Sequence, residues 1–148
     1  MMGEEEMLML SSQPTPRFDS EPSNNTCPFC SPEVAAQAIA RNGSVFAIRD
    51  KHPVAPGHTL VIPWRHTPDY FTMTPQERRD AEELLLRLRD DSVRSDPSIQ
   101  AFNIGVNCGV VAGQTVLHAH IHLIPRREGD TPNPRGGVRG VIPGKMSY

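Results

Sequence analysis

Residues 117–123 read Leu-His-Ala-His-Ile-His-Leu, a strict alternation of apolar residues and histidine. An extended backbone sorts that pattern cleanly. Successive side chains of a strand point to opposite faces, and residues two apart advance together by about 6.7 Å. The segment "TVLHAHIHLIP" (115–125) therefore predicts a strand with Leu117, Ala119, Ile121 and Leu123 on one face and His118, His120 and His122 on the other. The apolar face needs a cover. The one long amphipathic stretch, "TPQERRDAEELLLRLRDDSV" (74–93), supplies it. Thr74 and Glu77 have the spacing of a capping box, Pro75 suits the first helical position, and Ala81, Leu84, Leu85 and Leu88 share one face. The charges on its other faces read as a solvated surface.

The remaining elements follow from local signals. "SPEVAAQAIARNG" (31–43) predicts a short helix, with Ser31 as N-cap, Pro32 at the first turn and Gly43 as the stop. "SVFAIRD" and "HTLVIP" predict two strands, antiparallel because only the turn "KHPVAPG" joins them. "SIQAFNIGVN" predicts a third strand before the histidine strand, and "CGVVAGQ" a glycine-rich loop between them. Residues 126–148 predict mostly loop, with an extended piece at Val138–Ile142. Strands, helix, strands again make an α+β fold, an antiparallel sheet packed on a helix.

A chain of 148 residues suits one domain. Residues 1–24, rich in Ser, Pro, Glu and Asn, predict a mobile tail, and the domain is expected to start near "NTCPFC". The net charge of −2 conceals a slightly basic body, because residues 1–26 hold five acids and one base. Neither nucleic acid nor an anionic membrane is expected as a partner. No stretch is long and apolar enough to span a bilayer, and the acidic start does not read as a secretory signal. Three cysteines with a single C-x-x-C fit a reducing cytoplasm and metal or redox work better than a disulfide framework.

Three imidazoles on one strand face can donate, accept, attack or bind metal near neutral pH. One reading is a three-histidine metal site. Another is nucleophilic catalysis at phosphorus, in which the central ring attacks and its neighbours hold the phosphate. Gly113, Gln114 and Thr115 favour the second, because they offer donors to an anion just before the strand.

"HAHIHLI" resembles the His-x-His-x-His-apolar-apolar signature of the histidine-triad (HIT) nucleotide hydrolases and transferases. The likeness extends through "CPFC", "FAIRDKHPVAPGHTLVIPWRH" and "FNIGVNCGVVAGQTVLHAHIHLIPRREGD", most of residues 27–130. It is strongest to bacterial members akin to dinucleoside-polyphosphate hydrolases. The resemblance implies a domain over residues 25–130, with an antiparallel sheet of about five strands against one long and one short helix. It implies His120 as the nucleophile that attacks an α-phosphorus and forms a nucleotidyl-imidazole, which water then resolves to a nucleoside monophosphate. His122 would contact the phosphate and Gln114 the bridging oxygen and leaving group. Asn107 would contact phosphate or ribose, and Asp50 the ribose hydroxyls. Ile48 and Leu60 would sandwich the base, with His58 near the ribose and active site. The strand pattern independently puts Phe46, Ile48 and Asp50 on one face, and His58, Leu60 and Ile62 on one face.

The resemblance also implies a structural zinc held by Cys27, Cys30, His66 and His118, and no organic cofactor. A reduced dithiol is the plainer reading of Cys27 and Cys30. A homodimer is implied as well. The extension, residues 131–148, is expected to pack on the domain or the dimer through Val138, Val141 and Ile142. Arg126 and Arg127 are candidate contacts for phosphate. Against the enzyme stand two other readings: a nucleotide-binding regulatory module with negligible turnover, and a hydrolase that uses all three histidines on a metal.

Overall fold

The computed structural model describes residues 26–148; the tail expected at 1–24 lies outside the described residues. A one-turn helix α1 (Pro32–Ala35) leads into strand β1 (Ala40–Asn42). Then come β2 (Val45–Arg49), β3 (Thr59–Pro63), the long helix α2 (Pro75–Ser95), β4 (Ala101–Gly105) and β5 (Ile121–Arg126). The five strands form one antiparallel sheet in the order β1-β2-β3-β5-β4. The α+β class and the five-stranded sheet on a long and a short helix are as expected.

The fifth strand is not where the sequence suggested. Residues 31–43 are not one helix. Ser31 does cap α1, but the helix ends at Ala35, and residues 40–42 pair with β2 around Asn42-Gly43-Ser44. Gly43 is a hairpin residue, not a helix stop. Its φ is +54°, and a Cβ there would lie 2.6 Å from Oδ2 of Asp80. Asp80, buried on α2, accepts from both the amide (2.9 Å) and the hydroxyl (2.6 Å) of Ser44. These bonds, the Ser44 hydroxyl's first, hold its carboxyl below the usual range. At the other end, Val138–Ile142 is not extended; Gly137–Val141 forms a short 3-10 turn.

Helix α2 begins as predicted. Thr74 and Glu77 form a reciprocal capping box with Pro75 in the first turn. Ala81, Leu84 and Leu88 bury one face against Val45, Ala47, Val61, Ala119, Ile121 and Leu123. The even-numbered face of β2 and β3 holds a second cluster, in which Phe46, Ile48, Leu60 and Ile62 pack with Val34. The sheet thus separates a helix-covered core from a face that carries histidines. Two acids of α2 depart from the solvated pattern: Asp80, and Glu77, which is buried and paired with Arg65 at 2.8 Å.

Candidate active site and metal centre

Regular pairing of β5 starts only at Ile121, so the strand expected from Thr115 is shorter: residues 116–118 form a bend that carries His118, and His120 lies immediately before the ladder. Ala119 donates its amide to the carbonyl of Thr67 at 2.8 Å, which carries the alternation back beyond the ladder. Ala119, Ile121 and Leu123 enter the helix-side core as expected, and Leu117 is only half-buried. The three histidines consequently follow one another along the other face. The rings of His120 and His122 have centroids 5.2 Å apart.

His118 is fully buried and turns away from the other two. Its Nε2 lies 2.8 Å from the carbonyl of Pro63 and must donate to it, so Nδ1 keeps its lone pair. That Nδ1 stands 3.4 Å from Sγ of Cys27, 3.5 Å from Sγ of Cys30 and 3.2 Å from Nδ1 of His66. Cys30 Sγ to His66 Nδ1 is 3.3 Å, and the four ligand atoms all lie within 4.8 Å of one another. A tetrahedral zinc with ordinary Zn–S and Zn–N bonds has ligand–ligand edges of about 3.3–3.8 Å, so the set fits such an ion. The Pro63 carbonyl is the outer partner expected of a metal-bound imidazole. Burial, and then the neighbouring Cys27, push the Cys30 thiol up to about 11, so its thiolate needs a cation beside it. Burial holds His118 down at about 4, in the neutral form that a metal requires.

His120 has the opposite tautomer. Its Nδ1 lies 2.8 Å from the carbonyl of His118 and must donate to it, leaving Nε2 with a free lone pair. The ring is buried, and burial lowers its pKa, so it is neutral. Phe29 meets it edge-on at 5.1 Å and meets His118 at 5.9 Å. No sequence pattern singled out Phe29, although its position between the two ligand cysteines was a signal.

His122 faces Leu60 across the β3–β5 ladder, and Leu60 faces Ile48 across β2–β3. The expected base contacts and the third triad histidine therefore form one cross-strand row. Ile48 and Leu60 are each 5% exposed, with Phe29 and Ala38 packed against their cluster. His58, expected near the ribose and active site, contacts His122 directly, Nε2 to Nδ1 at 2.9 Å. Asp50 joins them, Oδ2 lying 3.5 Å from Nε2 of His58 and 4.0 Å from Nδ1 of His122. Burial holds His122 at about 4 and lowers His58. Beside His122 opens a cleft of about 1050 Å³, which Asn107 also lines.

Other expected contacts are engaged elsewhere. Gln114 is buried with its amide saturated: Nε2 donates to the carbonyls of Pro68 (2.6 Å) and Val116 (3.0 Å), and Oε1 accepts from Gly109 (2.8 Å). It holds the glycine-rich loop shut, while Thr115 next to it is exposed. Arg126 is held by Asp130 and Asn103, and Arg127 by Asp96, Ser98 and the carbonyl of Pro56. Both border the cleft, but with their guanidinium groups already paired. Val138, Val141 and Ile142, expected to pack on the domain or the dimer, are 62%, 73% and 58% exposed in the single chain, and Val138 and Val141 line the cleft wall. Among the described residues no helix is long and apolar enough to cross a membrane.

Comparison with known proteins agrees with this geometry. The HIT-domain model matches residues 31–129. An uncharacterized HIT-like protein of Mycobacterium tuberculosis is 37% identical over 107 residues, covering 70% of this chain and 74% of that protein. The asymmetrical bis(5'-nucleosyl)-tetraphosphatase of Schizosaccharomyces pombe is 38% identical over 97 residues, 66% of this chain but 53% of that enzyme. The crystal structure of a zinc-bound histidine triad family protein from Mycobacterium smegmatis superimposes with a TM-score of 0.66 at 31% identity, over 74% of this chain and 81% of that one. The triad geometry and these likenesses together make the chain a member of the HIT-domain family.

Proposed function

We propose that the protein is a nucleotide phosphohydrolase that acts through a covalent nucleotidyl-histidine. The observation that carries this reading is the hydrogen bond from His120 Nδ1 to the His118 carbonyl, which leaves a neutral ring with its Nε2 lone pair unprotonated. Nε2 attacks the α-phosphorus of a dinucleoside polyphosphate or related nucleotide conjugate. An N–P bond forms, the bridging P–O bond breaks, and the electron pair leaves on the departing phosphate oxygen. Water then attacks the same phosphorus, releases a nucleoside monophosphate and returns Nε2 to its starting state. The likeness to a tetraphosphatase supports the substrate class.

Around this centre His122 contacts the phosphate, Asp50 the ribose hydroxyls, and Asn107 the phosphate or ribose. The row Ile48–Leu60, with Phe29 beside it, receives the base. Thr115, exposed at the end of the loop, is better disposed to meet substrate than Gln114, whose amide is saturated. Gln114 acts as a positioning residue for that loop. Zinc at Cys27, Cys30, His66 and His118 has a structural role, tying the "CPFC" turn, and with it Phe29, to the catalytic segment. Two copies pair through the β4 edge of the sheet, where Ile104 is 53% exposed; sedimentation at micromolar concentration should give twice the chain mass.

The test is to quench the protein during hydrolysis of a diadenosine polyphosphate and map adducts by mass spectrometry. Adenylylation at His120 is expected. Turnover with no adduct there, under conditions that preserve phosphoramidates, overturns the mechanism.

A further inference from the structure

The cross-strand row that carries Ile48, Leu60 and His122 does not end at the histidine. Ile48 on β2 faces Leu60 on β3, Leu60 faces His122 on β5, and His122 faces Gly105 on β4. Paired residues of neighbouring antiparallel strands share a face of the sheet. Position 105 therefore opens onto the histidine face directly beside His122. It carries no side chain, and neither backbone nor packing demands that. Its φ is not positive, and a Cβ built there would meet nothing within 4 Å. A β-branched residue would suit the strand better. Glycine inside a strand weakens it, and often marks a place where a ligand comes close.

The space that Gly105 leaves belongs to the cleft of about 1050 Å³. Asn103 and Ile124, the next pair on the same face of the β4–β5 ladder, line it as well. Residues 131–148 fold back as a lobe and supply a further wall with Gly137, Val138 and Val141. The lobe is closed on itself. A Cβ on Gly136 (φ +90°) would collide with the carbonyl oxygen of Met146, so only glycine lets the two segments meet. Asn133 donates Nδ2 to Ser147 Oγ at 3.0 Å, and the guanidinium groups of Arg135 and Arg139 lie 4.6 and 4.9 Å from the ring centroid of Tyr148. The seat of the lobe is braced too. Asp130 accepts from Arg126 through both carboxylate oxygens, and Arg126 Nη1 donates to Asn103 Oδ1 at 2.7 Å. Between these supports the apolar lining stays in water: Val54, Val138 and Val141 are 71%, 62% and 73% exposed.

The chemistry of the lobe narrows the occupant. Residues 131–148 hold three bases, Arg135, Arg139 and Lys145, and no acid. Neither stacked guanidinium has a carboxylate partner among the described residues. An apolar cleft beside a cationic lobe suits a ring system joined to phosphates. With a base over Ile48 and Leu60 and the α-phosphate at His120 and His122, one substituent of the phosphorus lies over β2 and β3. The other leads on along the row, over Gly105. We propose that the cleft between β4 and the lobe is a second binding site, which holds the leaving half of a dinucleoside polyphosphate. Gly105 and the lobe then determine specificity, favouring a large anionic leaving group over a small one. This deepens the phosphohydrolase reading and rests on it for its catalytic meaning; the binding site does not require turnover. Gly105 touches no reacting atom. It acts by leaving room beside one.

The test reads binding and turnover separately. In the ¹⁵N-labelled full chain carrying His120→Asn, which removes the proposed nucleophile, AMP should shift the amide signals of Ile48 and Leu60. Diadenosine tetraphosphate should shift these and also those of Gly105, Gly137, Val138 and Val141. For turnover, Gly105→Val fills the space with a residue that suits a strand, and Val138→Asp puts an acid on the wall at an exposed position. Each should lower the ratio of kcat/KM for diadenosine tetraphosphate to kcat/KM for adenosine 5'-phosphoramidate, whose leaving group is only ammonia, on the order of 10-fold or more. A ratio unchanged in both folded variants overturns the proposal. So do shifts from diadenosine tetraphosphate that reach no further than those from AMP. If the unmodified chain hydrolyses no nucleotide, the phosphohydrolase reading fails, and the spectra still decide the cleft.

Discussion

Nδ1 of His120 lies 2.8 Å from the carbonyl oxygen of His118, the residue two places before it. His118 is itself held through Pro63 and faces the cysteine pair. The proton of His120, the proposed nucleophile, is therefore placed by the residue that would bind the metal. Replacing His120 by Asn should leave the circular dichroism spectrum unchanged and reduce hydrolysis of diadenosine polyphosphates by at least about a thousand-fold. A folded variant with near-normal turnover would contradict the assignment of the nucleophile.

The cysteine–histidine cluster makes a separate prediction. Purified protein should contain close to one equivalent of zinc per chain by elemental analysis, and Cys30→Ser should lose most of it. Stripping the metal with a strong chelator should lower Tm on the order of 10 °C, since an ion bound only by the folded state adds its binding free energy to stability. Activity lost on chelation but restored by zinc alone would fit a structural ion. A metal-free protein with unchanged Tm would show that the cluster is a reduced dithiol beside two histidines.

Gly43 tests the hairpin that the sequence concealed. Its φ is positive, and Asp80 Oδ2 lies 2.6 Å from where a side-chain carbon would stand, which leaves no room for alanine. Gly43→Ala should destabilise the fold by about 2 kcal/mol, combining left-handed backbone strain with displacement of the Asp80 carboxylate. Urea denaturation with an unchanged m-value and a lower midpoint would show it. A shift below a few tenths of a kcal/mol would mean that the turn relaxes freely.

The paired histidines His58 and His122 give the fold a defined acid response. Burial lowers the pKa of His58 and brings His122 to about 4 against an ordinary 6.5. Below about pH 6.5 the unfolded chain therefore holds more protons at these sites than the folded one, for His122 down to about pH 4, so stability is full above 6.5 and falls as pH drops below it. Each such histidine contributes up to about 1.4 kcal/mol per pH unit. The urea midpoint should decline steadily from about pH 6.5 to pH 5, and His122→Asn should make the decline shallower. A flat profile would refute neutral burial of these rings.

Much of this was legible in the chain alone. The alternation over 117–123 required an extended segment with histidines on one side, because that geometry is local and repeats every two residues. The capping box at Thr74 and Glu77, the amphipathic face of α2 and the antiparallel pair around "KHPVAPG" are likewise short-range, and all three are present. The ordered motifs identified the family. Tertiary structure decided what depends on partners distant in sequence. Residues 40–42 are a strand because β2 offers them an edge. Gln114 and the two arginines have their polar groups engaged by backbone carbonyls and acids distant in sequence. The three triad rings are chemically identical in sequence, and only the groups behind them distinguish them: the Pro63 carbonyl for one, the His118 carbonyl for the next and the His58 ring for the last.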